Sequence, residues 1–321
     1  MRPPLHAKRG RMSAAHDHDH HHHHHHGPDR HATKGRAFAV AIVLNLGFTI
    51  AEVAAGLISG SMALIADAGH NLSDVLALLL AWGANTLAAR PPSERFTYGL
   101  KSSSILAAIA NAALLWLALG AILVETLRRL ADPAPVQGAT MMLVAAVGIL
   151  VNGFSAWLFA RGRKGDLNVR AAFLHLVADA AVSAGVVIAG LGVVLTGIAL
   201  IDPVTSLVIC AVIGWSSWGL LKDSLRMGLL AAPESIDVRA VRAFLASRPG
   251  VAAVHDLHVW PMSTTETALT AHIVMPDGLP GDSFLHELAH DLHHRFGIGH
   301  PTIQIETAGG AECALESEMV V

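Results

Sequence analysis

Six stretches of this chain stay apolar for about twenty residues each, and short polar loops separate them. A helix needs about 20 residues to cross roughly 30 Å of hydrocarbon. The pattern therefore predicts membrane helices near 37–59, 62–89, 103–127, 138–160, 172–195 and 200–221. Basic residues fall on alternate sides of these spans. Arg30, Lys34 and Arg36 precede the first, and Arg90, Arg95 and Lys101 lie between the second and third. Arg161, Arg163, Lys164 and Arg170 lie between the fourth and fifth, and Lys222 and Arg226 follow the sixth. The opposite loops, near Gly60, Ala131–Gly138 and Gly197, carry almost none, Arg128 and Arg129 excepted. Lys and Arg accumulate on the cytoplasmic side of membrane proteins, so both termini are expected in the cytoplasm. An even number of spans agrees.

After Pro233 the period changes. Ile236–Arg248 reads as an amphipathic helix with Val238, Val241, Phe244 and Leu245 on one side. Val251–Trp260 and Thr267–Met275 alternate as strands around a hairpin turn at Ser263–Glu266. Phe284–Phe296 returns to a helical period, and Thr302–Glu306 is a last short strand. The expected organisation is an all-α six-helix transmembrane domain (37–221), a linker (222–233) and a small α+β domain (234–307). Tails at 1–36 and 308–321 are expected to be disordered.

Composition agrees with a membrane protein. Of 321 residues, 53% are hydrophobic and only 15% charged, and mean hydropathy is +0.49. A net charge of −3 gives no footprint for nucleic-acid binding. Cys210 lies in an apolar run and Cys313 in the terminal tail, far apart in sequence, so neither suggests a disulfide framework or a thiolate metal cluster. The first thirty-odd residues are polar and lack the apolar core of a cleavable signal peptide. They hold a run from His16 to His31, HDHDHHHHHHHGPDRH, which is either a cloning tag or a native tract. Either could bind divalent metal loosely and raise its concentration near the membrane.

The chemistry concentrates in two of the apolar helices. ALIADAGHNLSDVLALLLAW carries His70 and Asp74, and FLHLVADAAVSAGVVIAGLGVVL carries His175 and Asp179. Residues i and i+4 lie one above the other on a helix face. Ionisable groups at membrane depth are expensive and normally face a bundle interior or a polar path. A lone histidine in an apolar helix is commonly a packing residue, but here the His-x3-Asp pattern occurs twice. Two imidazoles and two carboxylates supply the four ligands of a tetrahedral zinc site. Imidazole donors favour zinc, cobalt, nickel or copper over magnesium or calcium. Asp67, one turn before His70, either supports a ligand or lines the same path. Asn45 and Glu52 on the first helix, Asn111 on the third and Asn152 on the fourth read as interhelical hydrogen bonds. The small residues of AAIANAA and SAGVVIAG read as close helix contacts.

In combination, SGSMALIADAGHNLSDVLAL, RFTYGLKSSSILAAIANA, HLVADAAVSAGVVIAG, IDPVTSLVI and VHDLHVW followed by LTAHIV resemble the cation diffusion facilitator family, zinc-transporting branch. The resemblance runs from about Phe38 to Glu306. It implies a homodimeric, proton-coupled efflux carrier with zinc and protons as its partners; short loops and compact size point to a bacterial inner membrane, and four saturating ligands without a spare acid–base group argue against an enzyme. It also implies that the cytosolic domain is metallochaperone-like (ferredoxin-like) and helps dimerise. By the same resemblance His70, Asp74, His175 and Asp179 form the transport site, and a histidine-to-aspartate change at the first position goes with cadmium acceptance. Positions matching His255, His272, His286 and Glu306 can contribute to cytosolic zinc sites in such proteins. His258 reads as a core histidine beside Trp260, and His293 and His294 as solvated. Gln304 stands where some members place a further ligand, and the loop Arg90–Lys101 lacks the histidine of an additional loop site. Two other readings remain open. One is a metal sensor or storage protein without net transport. The other, an intramembrane zinc hydrolase, would need a motif such as HExxH that the chain lacks.

Overall fold

The computed structural model describes residues 29–160, 167–278 and 281–307, with Cys313 and Leu315. The histidine run and most of the C-terminal tail lie outside the described residues. Six long helices come first: α1 Asp29–Ser59, α2 Met62–Ala88, α3 Ser103–Ala131, α4 Gly138–Ala160, α5 Leu167–Thr196 and α6 Ile201–Gly228. All six hold a window apolar enough to cross a membrane, that of α1 beginning at Val40. The helices overrun the apolar pattern at several ends, α1 starting at Asp29 rather than near 37 and α6 running to Gly228 rather than 221. Hydropathy marks only the part of a helix that meets lipid, whereas backbone hydrogen bonding carries it onward until a cap stops it.

The packing follows from the absence of a hydrophobic force between helices in lipid. Small residues and a few well-fitted ones occupy the interior, and large ones face out. Ala63, Leu64, Ala66, Met141, Ala145 and Val186 are buried at the centre. Trp82, Leu117, Ile188, Leu195 and Trp215 are at least 71% exposed and form part of the outer face. Helices α4 and α5 approach so closely that a Cβ on Gly190 would lie 2.9 Å from the Gly138 carbonyl oxygen.

Helix α2, which carries His70 and Asp74, is fixed at its start. After Gly60, whose φ of +70° suits glycine, Ser61 caps α2, its hydroxyl accepting from the Leu64 amide at 3.2 Å. Asp202, in the first turn of α6 and fully buried, completes the cap. Its carboxylate accepts from the Ser61 hydroxyl at 2.5 Å, the Met62 amide at 2.7 Å and the Ala63 amide at 3.2 Å. A carboxylate at a helix N-terminus satisfies otherwise orphaned amides and meets the positive end of the dipole. On the same side Arg129 donates to the Gly60 carbonyl and contacts Glu125 at 3.3 Å. Arg129, one of the two basic residues that broke the charge pattern, is therefore held at the α1–α2 corner.

The second domain runs α7 Val238–Ala246, β1 Ala253–Pro261, β2 Thr267–Val274, α8 Asp282–Phe296 and β3 Ile298–Glu306. The sheet order is β1-β2-β3, with β1–β2 antiparallel and β2–β3 parallel. Val241, Leu245, Leu269, Ile273, Leu288, Leu292 and Ile298 form its core. β3 begins earlier than the sequence pattern suggests. Gly297, at φ 71°, stops α8, and Pro301 is tolerated because β3 is an edge strand. The β1–β2 turn rests on the start of α3. The Thr264 amide donates to Ser104 Oγ at 3.1 Å, Ser102 Oγ donates to the Met262 carbonyl at 3.2 Å, and Lys101 pairs with Glu266.

Replacing Asp202 with alanine leaves one hydroxyl and two amides without their acceptor in a dry interior. The expected loss is about 1–3 kcal/mol, read as a lower melting temperature of the full chain in detergent. An unchanged melt would show that the cap is not a stabilising feature.

Candidate metal centre

α2 and α5 bring their two His-x3-Asp pairs face to face. His175 Nε2 lies 3.1 Å from Asp74 Oδ2 and 3.5 Å from Asp179 Oδ2. His70 Nε2 lies 3.8 Å from Asp74 Oδ2 and 3.7 Å from Asp179 Oδ1. The imidazole rings meet edge to face, with centroids 5.8 Å apart. Each Nε2 thus faces both carboxylates, and donors from His70, Asp74 and His175 all lie within 4.8 Å of one another. Burial is graded across the group. Asp179 is 6% exposed and His70 18%, whereas Asp74 is 39% and His175 45% exposed. The exposed pair lies one helical turn nearer the arginine-bearing loops, Asp74 toward Arg90 and His175 toward Arg170.

On the other side of this group lies a buried polar layer. Ser183, one turn beyond Asp179, donates to Asp67 Oδ2 at 3.1 Å. Asn71 donates to Glu52 Oε2 at 3.0 Å. Glu52 and Asp67 are both fully buried. Asp67 is therefore tied to α5 beside the four-residue group. Glu52 and Asn45 make the interhelical bonds expected of them, Asn45 donating to Ser155 Oγ at 3.2 Å. Asn152 is buried as well, with neither side-chain amide atom hydrogen-bonded among the described residues.

The small domain holds a second cluster. His255 and His272 sit opposite each other in the β1–β2 register, and His272 pairs with Gln304 in β3 while Val274 pairs with Glu306. Directly opposed residues, and those two apart on one strand, share a sheet face. His272 Nδ1 lies 2.9 Å from Glu306 Oε1, and His255 Nε2 lies 3.3 Å from Glu306 Oε2. A bulge in β1 between His255 and His258 turns Asp256 toward the same face. Its φ of +47° is unusual for a residue with a side chain. Asp256 contacts His258 Nε2 at 2.8 Å and His272 Nε2 at 3.5 Å. His258 is thus half-exposed against Asp256, not enclosed beside Trp260. His286 is exposed on α8 and does not join the cluster among the described residues. In its place stands Cys313, with Sγ 3.4 Å from His272 Nδ1. Cysteine spacing gives no hint of this approach, because Cys210 and Cys313 are far apart in sequence. The partners are histidines contributed by strands, and the sequence carries no local signal of that approach. Slight burial works against ionising Glu306, but hydrogen bonding from Cys313 and the nearby imidazoles of His255 and His272 hold its carboxyl below the usual range.

Six membrane-length helices followed by a small α+β domain define a polytopic membrane protein. Residues 38–227 match the cation efflux transmembrane domain, and residues 233–308 match the cation efflux protein cytoplasmic domain. The chain belongs to the cation efflux family. It is 38% identical over 284 residues to the zinc transporter ZitB of Escherichia coli, covering 87% of this chain and 90% of that one. It is 33% identical over 277 residues to the cadmium, cobalt and zinc/H(+)-K(+) antiporter of Bacillus subtilis, covering 85% and 89% respectively. Among solved structures, the metal-bound C-terminal domain of the CzcD transporter from Cupriavidus metallidurans is 35% identical, with a TM-score of 0.21, and spans 22% of this chain and 99% of that one.

Proposed function

We propose that the protein is a zinc/proton antiporter that exports zinc from the cytoplasm, with His70, Asp74, His175 and Asp179 as its transport site. The observation that carries this reading is the convergence of both imidazole Nε2 atoms on both carboxylates, each pair within 3.1 to 3.8 Å. Zinc is here the substrate. Two nitrogens and two oxygens match a tetrahedral zinc ion. Saturating the ion with four protein ligands leaves no open position for a catalytic water, which favours carriage over hydrolysis.

Coupling to protons follows from the donors. Imidazole binds metal only when neutral, so zinc and protons compete for the same groups. Zinc arriving from the cytoplasm displaces protons from the site. Once the site faces outward, protons displace zinc in turn. The more exposed pair, Asp74 and His175, lies toward the basic loops, which positive-inside bias assigns to the cytoplasm. In this reading the arrangement is open inward. The named substrates of the relatives support zinc, with cadmium and cobalt as neighbouring possibilities.

We assign the protein to the bacterial inner membrane, with both termini cytoplasmic, and to a homodimer joined in part through the α+β domain. Its partners are metal ions, protons and lipid. His255, His272 and Glu306 form a cytosolic metal site. The buried Nε2 of His255, which makes no hydrogen bond among the described residues, fits a waiting ligand position. His286 would have to reach such a site from elsewhere, for instance from the second protomer.

Zinc flux into proteoliposomes with an acidic lumen tests the antiport. Flux should follow the pH gradient, and Asp179→Ala should cut it by at least about 10-fold, the lower end of what disturbing even outer partners of a metal costs. Zinc binding without flux in either orientation would favour the sensor or storage reading, and undiminished flux in the variant would remove the site assignment. Replacing His70 with aspartate exchanges a borderline nitrogen for an oxygen on a shorter side chain and leaves room for a larger ion. Cadmium should then inhibit zinc flux more strongly in His70→Asp than in the native chain. Unaltered competition would separate His70 from selectivity.

A further inference from the structure

We infer that Cys313 is a metal ligand, closing a His255–His272–Glu306–Cys313 site within one protomer. The inference builds on the cytosolic site proposed above and changes its ligand set, its chemistry and the element that completes it. One donor from each of the four residues lies within 4.8 Å of every other. Sγ of Cys313 and Oε1 of Glu306 approach His272 Nδ1 at 3.4 and 2.9 Å, and Oε2 of Glu306 approaches His255 Nε2 at 3.3 Å.

Two further observations point to a metal rather than a chance cluster. His255 is only 7% exposed, and its Nε2, aimed at Glu306, makes no hydrogen bond among the described residues. A buried ring nitrogen that makes no hydrogen bond is costly unless something occupies its lone pair. The second is the far side of His272. Its Nδ1 faces the cluster while its Nε2 faces Asp256 at 3.5 Å. A ligating histidine commonly presents its other nitrogen to a carboxylate, which fixes the tautomer and makes the ligand more basic. The β1 bulge and the φ of +47° at Asp256 supply that carboxylate.

The fourth position on this sheet face belongs to Gln304, and it is not used as a ligand. Its amide donates to Glu306 Oε1 at 3.3 Å instead. Cys313 thus offers sulfur where the strand offers only a carboxamide. Two imidazoles, a carboxylate and a thiolate make a tetrahedral set suited to zinc, and thiolate shifts the preference toward soft ions such as cadmium. On binding, the Cys313 thiol gives up its proton to solvent and its sulfur forms the bond to the metal. Metal would then tie the segment around Cys313 to the β2–β3 edge.

Cobalt(II) titrated into the full chain tests this. A tetrahedral cobalt–thiolate bond gives a near-ultraviolet charge-transfer band that histidine and carboxylate ligands do not produce, so neither the N-terminal histidines nor the transport site contributes to it. The band should appear in the native chain and in Cys210→Ser, and vanish in Cys313→Ser. Zinc should suppress it and should protect Cys313, in Cys210→Ser, from alkylation. Visible tetrahedral bands that depend on His255 and His272 but come without the sulfur band would overturn the ligand assignment while leaving the cytosolic site in place. Absence of both would overturn the ligand and that site together. Neither result bears on zinc flux through α2 and α5.

Discussion

Inside a bilayer no water is at hand to satisfy a polar group, so every carboxylate, hydroxyl and amide in the six-helix layer needs a partner from the protein itself. The start of α2 shows how this constraint positions the rest. The Asp202 carboxylate takes three donors from Ser61, Met62 and Ala63 and so joins the first turn of α6 to the first turn of α2. Further along α2 the pairs are Asp67 with Ser183 of α5 and Asn71 with Glu52 of α1. Together they hold α2 against α1, α5 and α6, and that orients His70 and Asp74 toward His175 and Asp179. The four-residue group sits where this polar column meets the more exposed end of the α2–α5 contact.

The six spans were legible because lipid imposes a length and a composition that local sequence must obey. The transport candidates were legible because i and i+4 spacing fixes their common face whatever the rest of the fold does. Helix ends were less so, since Asp29 and Gly228 lie beyond the apolar pattern and are set by backbone hydrogen bonding. Asp202 could be seen as an acidic residue in an apolar segment, but nothing local says that its partners lie 141 residues away at Ser61. The approach of Cys313 to His272 was illegible for the same reason. Its neighbours come from strands whose register the sequence does not specify, and a ligand search by cysteine spacing cannot find a mixed site. The β1 bulge that turns Asp256 toward His272 also left no period to read.

The two clusters solve different problems with overlapping residue types. In the membrane, four donors come from two helices that pack as separable rods, and two of the donors are substantially exposed. Such a site can be entered, and a relative shift of α2 against α5 would change its geometry. In the α+β domain three donors come from adjacent strands of one hydrogen-bonded sheet, where relative motion would break ladder bonds. An ion bound there would be held rather than passed on. Contacts joining the domains include Lys101 with Glu266 and Ser102 and Ser104 with the β1–β2 turn, at the start of α3, and Tyr98 against His300 of β3.

That placement bears on how occupancy of the rigid site would reach the mobile one. The β1–β2 turn caps a cavity of about 530 Å³ lined by Ala77, Ala81 and Asn85 of α2, Ser104 and Asn111 of α3, and Ser263–Glu266. Along α2 this lining continues the helix that carries Asp74, toward its C-terminal end. His272 and Thr267 belong to one strand, so a metal held at His272 would stiffen the element that leads directly into the turn. An allosteric effect requires that a ligand interact differently with two states of the protein. Here the physical means would be a hairpin whose seat on α2 and α3 is steadier when β1, β2 and β3 are drawn together at His255, His272 and Glu306. The exposed turn contacts are polar and few, so they can be remade at little cost as α2 moves. The sheet cannot yield in the same way, which makes the turn one place where the two domains could adjust to each other.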